Sequence, residues 1–347
     1  MLRSHTLIAA FLTVFSFSTF AEPALADAPY KVLKSTKVGG AGGFDYVLAD
    51  AEGRRLYIPR GNRVMVYDLD TLTATGEVAD TKSVHGVAVD PKSGHGFTSS
   101  NPVVMFDTKT LATIKSIPVE GNPDGILFDA ATQRVFVLSH RAPNVTVLGA
   151  VDGAVAGTID LAGAPEQAVS DGNGRLFIDV EDKDNVAVVD AKEMKVTAHY
   201  DLGGKGGTPA GLAMDAKNHV LFVFCRKPQT AVMLNADDGK ILATLPIGAG
   251  VDAGSFNPAT MEAFSSQRDG TLTVIKENSP TSFVVEQTVQ TKPGAKTSTL
   301  DSKTNQVFLI TAEQAPPAAG AAQPGGGGRG GRGRMVPDSF TILVVGK

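Results

Sequence analysis

The chain has 347 residues and a formal net charge of -4, and its 42% apolar and 20% charged content is that of a globular protein rather than a disordered one. Its single cysteine, Cys225, excludes an intramolecular disulfide, a covalently attached c-type haem and a cysteine-rich metal centre. Gly 38 and Pro 19 suit a chain rich in strands and turns.

Arg3 and His5 precede an apolar run from Leu7 to Phe20, and Ala24-Leu25-Ala26 places small residues where a signal peptidase reads. Residues 1–26 are expected to be an export signal, which sends the rest to the periplasm or outside the cell. The run is shorter than the roughly 20 residues that cross a bilayer, so no membrane span is expected.

Residues 27–347 read as one domain because a single unit recurs through them. It appears as Asp45–Asp50, His85–Asp90, Asp124–Asp129, Glu166–Asp171, Ala210–Asp215, Asp252–Asn257 and Lys296–Asp301. The closing residues lie 40, 39, 42, 44, 42 and 44 positions apart, the period of a four-stranded propeller blade. After each comes a second strand carrying a ring near its start (Tyr57, Phe97, Phe136, Phe177, Phe222, Phe264, Phe308), read as filling the space between blades. Third strands follow, such as Asn62-Arg-Val-Met-Val-Tyr-Asp68 and Asn185-Val-Ala-Val-Val-Asp190. Polar turns such as Asp107-Thr-Lys-Thr110 then lead to the fourth, as hairpin chemistry requires.

The seventh unit lacks a full strand set unless Tyr30–Thr36 joins it, and that pairing would close the ring and remove free sheet edges. The expected fold is therefore all-β: a seven-bladed β-propeller of four-stranded antiparallel blades, closed by pairing of its N- and C-terminal strands. Residues 315–334, with the run Gly325-Gly-Gly-Gly-Arg-Gly-Gly-Arg-Gly-Arg334, interrupt the last blade and are expected to be a flexible insertion. Its three arginines open one alternative function, contact with nucleic acid or another polyanion.

Leu176-Phe-Ile-Asp-Val-Glu-Asp-Lys-Asp-Asn-Val-Ala-Val-Val-Asp190, Asp237-Asp-Gly-Lys-Ile-Leu-Ala-Thr-Leu-Pro-Ile-Gly248 and Ser339-Phe-Thr-Ile-Leu-Val-Val345 together resemble the YVTN-repeat, YncE-like family of exported seven-bladed propellers. The resemblance covers essentially the whole chain after the leader. It implies a periplasmic or surface protein and specifies blades better than function. Here the family's Tyr-Val-Thr-Asn core is degenerate, as in Val-Leu-Ser-His140 or Val-Phe-Cys-Arg226. The chain has no tryptophan, so the tryptophan-bearing motifs of WD40 proteins and of quinone-cofactor propeller dehydrogenases are missing. Gly203-Gly-Lys-Gly-Gly207 joins two strands and is not a phosphate loop.

A ring of blades turns equivalent positions into spatial neighbours. The first residues of the units, Asp45, His85, Asp124, Glu166, Ala210, Asp252 and Lys296, are expected to face one end of the central channel. About fifteen positions later come Arg60, Ser100, His140 with Arg141, Glu181, Arg226 and Arg268, expected to surround the same mouth. Four carboxylates facing one channel need compensation. Lys296 and the arginines could supply it, and Asp45, His85, Asp124 and Glu166 form a donor set compatible with a divalent cation, the one candidate cofactor. The leading expectation is a monomeric binding module or scaffold that takes a polar small molecule or a protein partner at this mouth, with arginines orienting anionic groups. The enzymatic alternative is a metal-assisted, lactonase-like hydrolase with His85 or His140 moving protons. No Gly-x-Ser-x-Gly elbow occurs near Ser100, Ser139 or Ser170, so no nucleophile is assigned.

Overall fold

The computed structural model describes residues 29–315 and 335–347. The export-signal expectation, and nearly all of that for the 315–334 insertion, lie outside these residues. Seven antiparallel sheets of four strands make up the described chain. Blade 1 comprises Leu48–Asp50, Arg55–Pro59, Val64–Asp68 and Ala74–Val78, and blades 2 to 6 repeat that order. Blade 7 takes Thr297–Asp301, Gln306–Thr311 and Thr341–Gly346 from the C-terminal end, and its outermost strand is Lys31–Lys37. The two chain ends pair antiparallel, from Lys31 opposite Gly346 to Lys37 opposite Thr341, which closes the ring as the incomplete seventh unit required.

No single core lies at the centre. Each pair of neighbouring blades instead encloses its own apolar cluster. Leu56 and Ile58 of blade 1 meet Phe308 and Ile342 of blade 7, and Phe136 and Val147 of blade 3 meet Leu176 and Val189 of blade 4. The seven repeated rings of the second strands are all buried in these seams, each contributing about 2–3 kcal/mol by leaving water. Arginines at the head of three second strands staple neighbouring blades. Arg55 donates to the Lys109 carbonyl at 2.9 Å, Arg134 to Ala191 at 2.7 Å and Arg175 to Ala236 at 3.2 Å.

The most regular acidic position has a local role in every blade. Asp50, Asp90, Asp129, Asp171, Asp215, Asn257 and Asp301, which close the seven units, each accept a backbone N–H two or three residues on. These caps hold the turn between first and second strands. They sit at the far end of the first strands, away from the residues that open the units.

At the opening end, the pairing of first and second strands is irregular in four blades. The register shifts between Pro123 and Ile126, Pro165 and Ala168, Pro209 and Gly211, and Val251 and Ala253. Asp124, Glu166, Ala210 and Asp252 lie inside these bulges, which release them from the ladder and turn them toward the channel mouth. Small residues let the first strands crowd together there. A Cβ on Gly125 would strike the Glu166 carbonyl oxygen, and one on Gly211 would come within 2.9 Å of the Ala253 carbonyl carbon. The described helical structure is a 3-10 turn, Glu181–Lys183, and no described helix is long and apolar enough to cross a membrane.

Candidate ligand-binding mouth

Side chains from all seven blades meet at one end of the channel and form a closed circuit of alternating acid and base. His85 Nδ1 of blade 2 lies 2.8 Å from Asp45 Oδ2 of blade 1 and 3.1 Å from Asp124 Oδ1 of blade 3. His140 Nε2 lies 3.0 Å from Asp124 Oδ2 and 3.8 Å from Glu166 Oε1 of blade 4. Arg226 Nη1 of blade 5 follows, 3.5 Å from Glu166 Oε1 and 2.6 Å from Glu181 Oε1, while Nη2 pairs with Asp252 of blade 6. Lys296 of blade 7 pairs with Asp252 and lies 3.3 Å from Asp45 Oδ1, completing the circle. Blade 5 opens on Ala210, and Arg226 is its charged member.

The circuit is sunk into the mouth. Asp124, Asp252 and Lys296 are nearly sealed from solvent, with side chains 3%, 7% and 6% exposed, whereas His85, His140, Glu181 and Arg226 keep 20–26%. Burial and the neighbouring charges of Asp45 and Glu166 raise the Asp124 carboxyl to about 6. Burial also works on Asp45, but the Lys296 charge and the His85 hydrogen bond outweigh it and hold that carboxyl well below the usual range. Glu181 is raised to about 7 by burial and by the hydrogen bond it shares with Glu166. Glu166 itself is drawn below its ordinary value against burial by that bond and by the Arg226 charge.

Beneath the ring the channel is nearly filled. Tyr46 donates its hydroxyl to Glu166 Oε2 at 2.9 Å, and Gln167 bridges blades by donating to the Gly254 carbonyl and accepting from Leu212 N, each at 3.0 Å. A cavity of about 190 Å³ remains there, lined by Tyr46, Gly86, Gly125, Gln167 and Gly254 among others. Below Glu166, the buried Asp179 accepts the Gln167 N–H at 2.5 Å, and burial raises its carboxyl to about 8. A cavity of about 860 Å³ opens beside the ring, where Lys296 shares the wall with Arg268, Lys292, Phe44, Glu313 and Met335.

Of the residues expected at the mouth, Asp45, His85, Asp124, His140, Glu166, Glu181, Arg226, Asp252 and Lys296 come together in the ring. Arg268 is exposed on the wall of the larger cavity, and Arg141 is exposed beside His140. Arg60 does not join them. Its guanidinium reaches the Gly40 and Ala41 carbonyls at 3.1 Å each, lies 3.7 Å above the Phe340 ring, and is lowered by burial to about 10. The reason is a one-residue offset: Tyr57 pairs with Leu48 as Phe136 pairs with Leu127, so Arg60 corresponds to Ser139, not His140, and faces the other side of its blade. Nor is Arg226 a free fork for an anion, since Val251 O, Glu181, Glu166 and Asp252 already surround it. The four residues read as one cation site divide: Asp45, His85 and Asp124 form one possible ligand set, and Asp124, His140 and Glu166 another.

Ser100 and Ser139 are buried and donate to the carbonyls of Pro102 and Arg141 at 2.8 and 2.7 Å, so they are turn residues. Ser170 donates to Asp129 Oδ1 at 2.6 Å and belongs to the opposite rim. Burial raises the Cys225 thiol to about 12, which makes it inert packing. Tyr46, Gln167 and Asp179 were missed. For Tyr46 and Gln167 the signal was in the repeat, because the second position of the other units is Gly86, Gly125, Gly211, Ala253 or Thr297, all small residues.

Among solved structures, the chain is similar to the one described as "Crystal structure of RRP9 WD40 repeats", with a TM-score of 0.72 at 10% identity over 92% of this chain and 98% of that one. It is likewise similar to "Structure of U3-55K", with a TM-score of 0.70 at 10% identity over 90% and 98%. The chain is a seven-bladed β-propeller. At such identity the likeness concerns the fold alone, and this propeller builds its seams with no tryptophan at all. No family model and no curated protein matches the sequence.

Proposed function

We propose that this propeller is an exported, YncE-like binding module that takes a polar small molecule at the mouth carrying the charged ring. The observation that carries this reading is the junction at Lys296, where a self-paired ring of acids and bases opens onto a cavity of about 860 Å³. The volume falls in the range of small-molecule pockets, and its wall combines apolar Phe44 and Met335 with basic Arg268 and Lys292. Across the mouth, the Asp45 to Glu166 arc carries acids and imidazoles. A zwitterionic ligand suits this division, its anionic end toward Arg268 and Lys292 and its polar or cationic end on the ring. The leader-like residues 1–26 support the export part of this reading.

The test is a thermal-shift panel of amino acids, sugars and dicarboxylates, run on the wild type in EDTA and again with manganese. A hit should raise Tm in the wild type and in Ser170→Ala, at the opposite rim, but not in Asp124→Ala or Glu166→Ala. Loss of the shift in Ser170→Ala with retention in the ring variants would place the ligand elsewhere and end this reading.

A further inference from the structure

We propose that the histidine-bearing arc of the ring holds two divalent transition-metal ions side by side, one between Asp45, His85 and Asp124 and the other between Asp124, His140 and Glu166, with the Asp124 carboxylate bridging them. This deepens the reading of the mouth as a binding site and rests on it.

Donor placement is the first support. In each set one imidazole nitrogen and two carboxylate oxygens lie within 4.8 Å of one another. Ions with ligand distances of about 2.0–2.2 Å draw adjacent donors to roughly 3 Å apart. The separations of 2.8 and 3.1 Å around His85 and of 3.0 Å between His140 and Asp124 meet that requirement. The 3.8 Å gap from His140 to Glu166 is the wider edge of the second set.

Asp124 supplies the second support. It presents Oδ1 to His85 and Oδ2 to His140, so its two oxygens belong to different sets. A carboxylate used this way spaces two ions by about 3.5–4 Å, as in two-metal centres. Third, His140 Nε2 is sealed from solvent and makes no hydrogen bond among the described atoms, although a carboxylate oxygen lies 3.0 Å away. Close approach without hydrogen-bond geometry is what two ligands of a shared ion display.

Charge points the same way. Arg226 and Lys296 pair with the outer carboxylates Glu166 and Asp45, whereas the central Asp124 is approached by the two imidazoles. One imidazole with two carboxylates per ion favours manganese, iron, cobalt, nickel or zinc over calcium, which prefers oxygen alone. The rings of His85 and His140 are partly exposed, so the edge of this arc is reached from the mouth, although His140 Nε2 itself is covered.

The experiment is titration of the purified, EDTA-dialysed protein with manganese alone, followed by calorimetry for stoichiometry and by electron paramagnetic resonance for coupling between ions. Two ions per chain with an exchange-coupled spectrum are expected. His85→Ala and His140→Ala should each retain one ion and lose the coupling. Asp124→Ala, and the shape-preserving Asp124→Asn, should weaken both sites at least tenfold, with melting curves confirming that each variant is folded. Absence of saturable binding, a single ion in the wild type, or an Asp124 variant that disturbs only one site would overturn the proposal. Organic ligands binding in EDTA while manganese does not would refute the metal pair and leave the ligand-binding reading standing.

Discussion

Lys296→Met examines whether the ring is held by mutual compensation across the closure of the propeller. The ammonium is nearly sealed from water, pairs with Asp252 and lies 3.3 Å from Asp45 Oδ1. Methionine keeps much of the length and packing but leaves two buried carboxylates short of a cation. Removing one partner from a buried pair costs roughly 3–5 kcal/mol. Asp45 keeps His85 and Asp252 keeps Arg226, so a cost near the lower end, about 3 kcal/mol, is expected. Urea unfolding at pH 7 measures it. Adding Asp252→Asn removes one stranded charge and should recover at least about 1 kcal/mol, a coupling expected only between groups in contact. The pH dependence has a definite sign. Burial raises the Asp45 carboxyl, but Lys296 and His85 hold it below its ordinary value, so its contribution is present above about pH 4 and fades as pH falls. The gap between wild type and variant should therefore narrow in acid. A cost below about 1 kcal/mol, or a double variant no more stable than the single, would refute the reasoning.

Two other substitutions separate structure from site. Asp179 is raised by burial to about 8, so the folded chain binds its proton more tightly than the unfolded chain and stability should fall as pH rises from about 4 to 8. Asp179→Asn keeps an acceptor for the Gln167 N–H, and should stabilise by up to about 4 kcal/mol at pH 7 and not at all near pH 4. Urea midpoints across that range check it, and a pH-independent difference would contradict it. Arg60→Met should cost roughly 1–3 kcal/mol by removing the charge-assisted hydrogen bonds to the Gly40 and Ala41 carbonyls, which water can still reach, with ligand affinity at the mouth unchanged once the variant is folded. Lost affinity without lost stability would return Arg60 to the site.

The fold was legible because its signals are local and repeated. The seven closing residues, six aspartates and Asn257, cap turns within their own blades, and the rings at Phe136, Phe177 and their counterparts mark every second strand. Closure by Lys31–Lys37 followed from the missing strand of blade 7. The inner ring was legible for the same reason, since position in the repeat fixes position in the mouth. What could not be read was direction. Arg60 and His140 look equivalent by count, but one residue of offset in a period-2 strand sends them to opposite sides. Arg226 reaches back to Glu181 and forward to Asp252, which depends on side-chain reach across two seams rather than on spacing. The same holds for Gln167, which spans to Leu212 and Gly254, and for Asp179, whose burial beneath the ring comes from the packing of other blades.

The most direct measurement is histidine-ring NMR during titration with whichever panel compound raises Tm most. His85 and His140 belong to the ring, whereas His95 contacts the Ala150 carbonyl at 3.2 Å and His219 pairs with Asp237 at 2.8 Å, both outside the mouth. Binding at the mouth should shift the His85 and His140 resonances together and leave those of His95 and His219 in place. Movement of His95 or His219, with His85 and His140 stationary, would contradict the account.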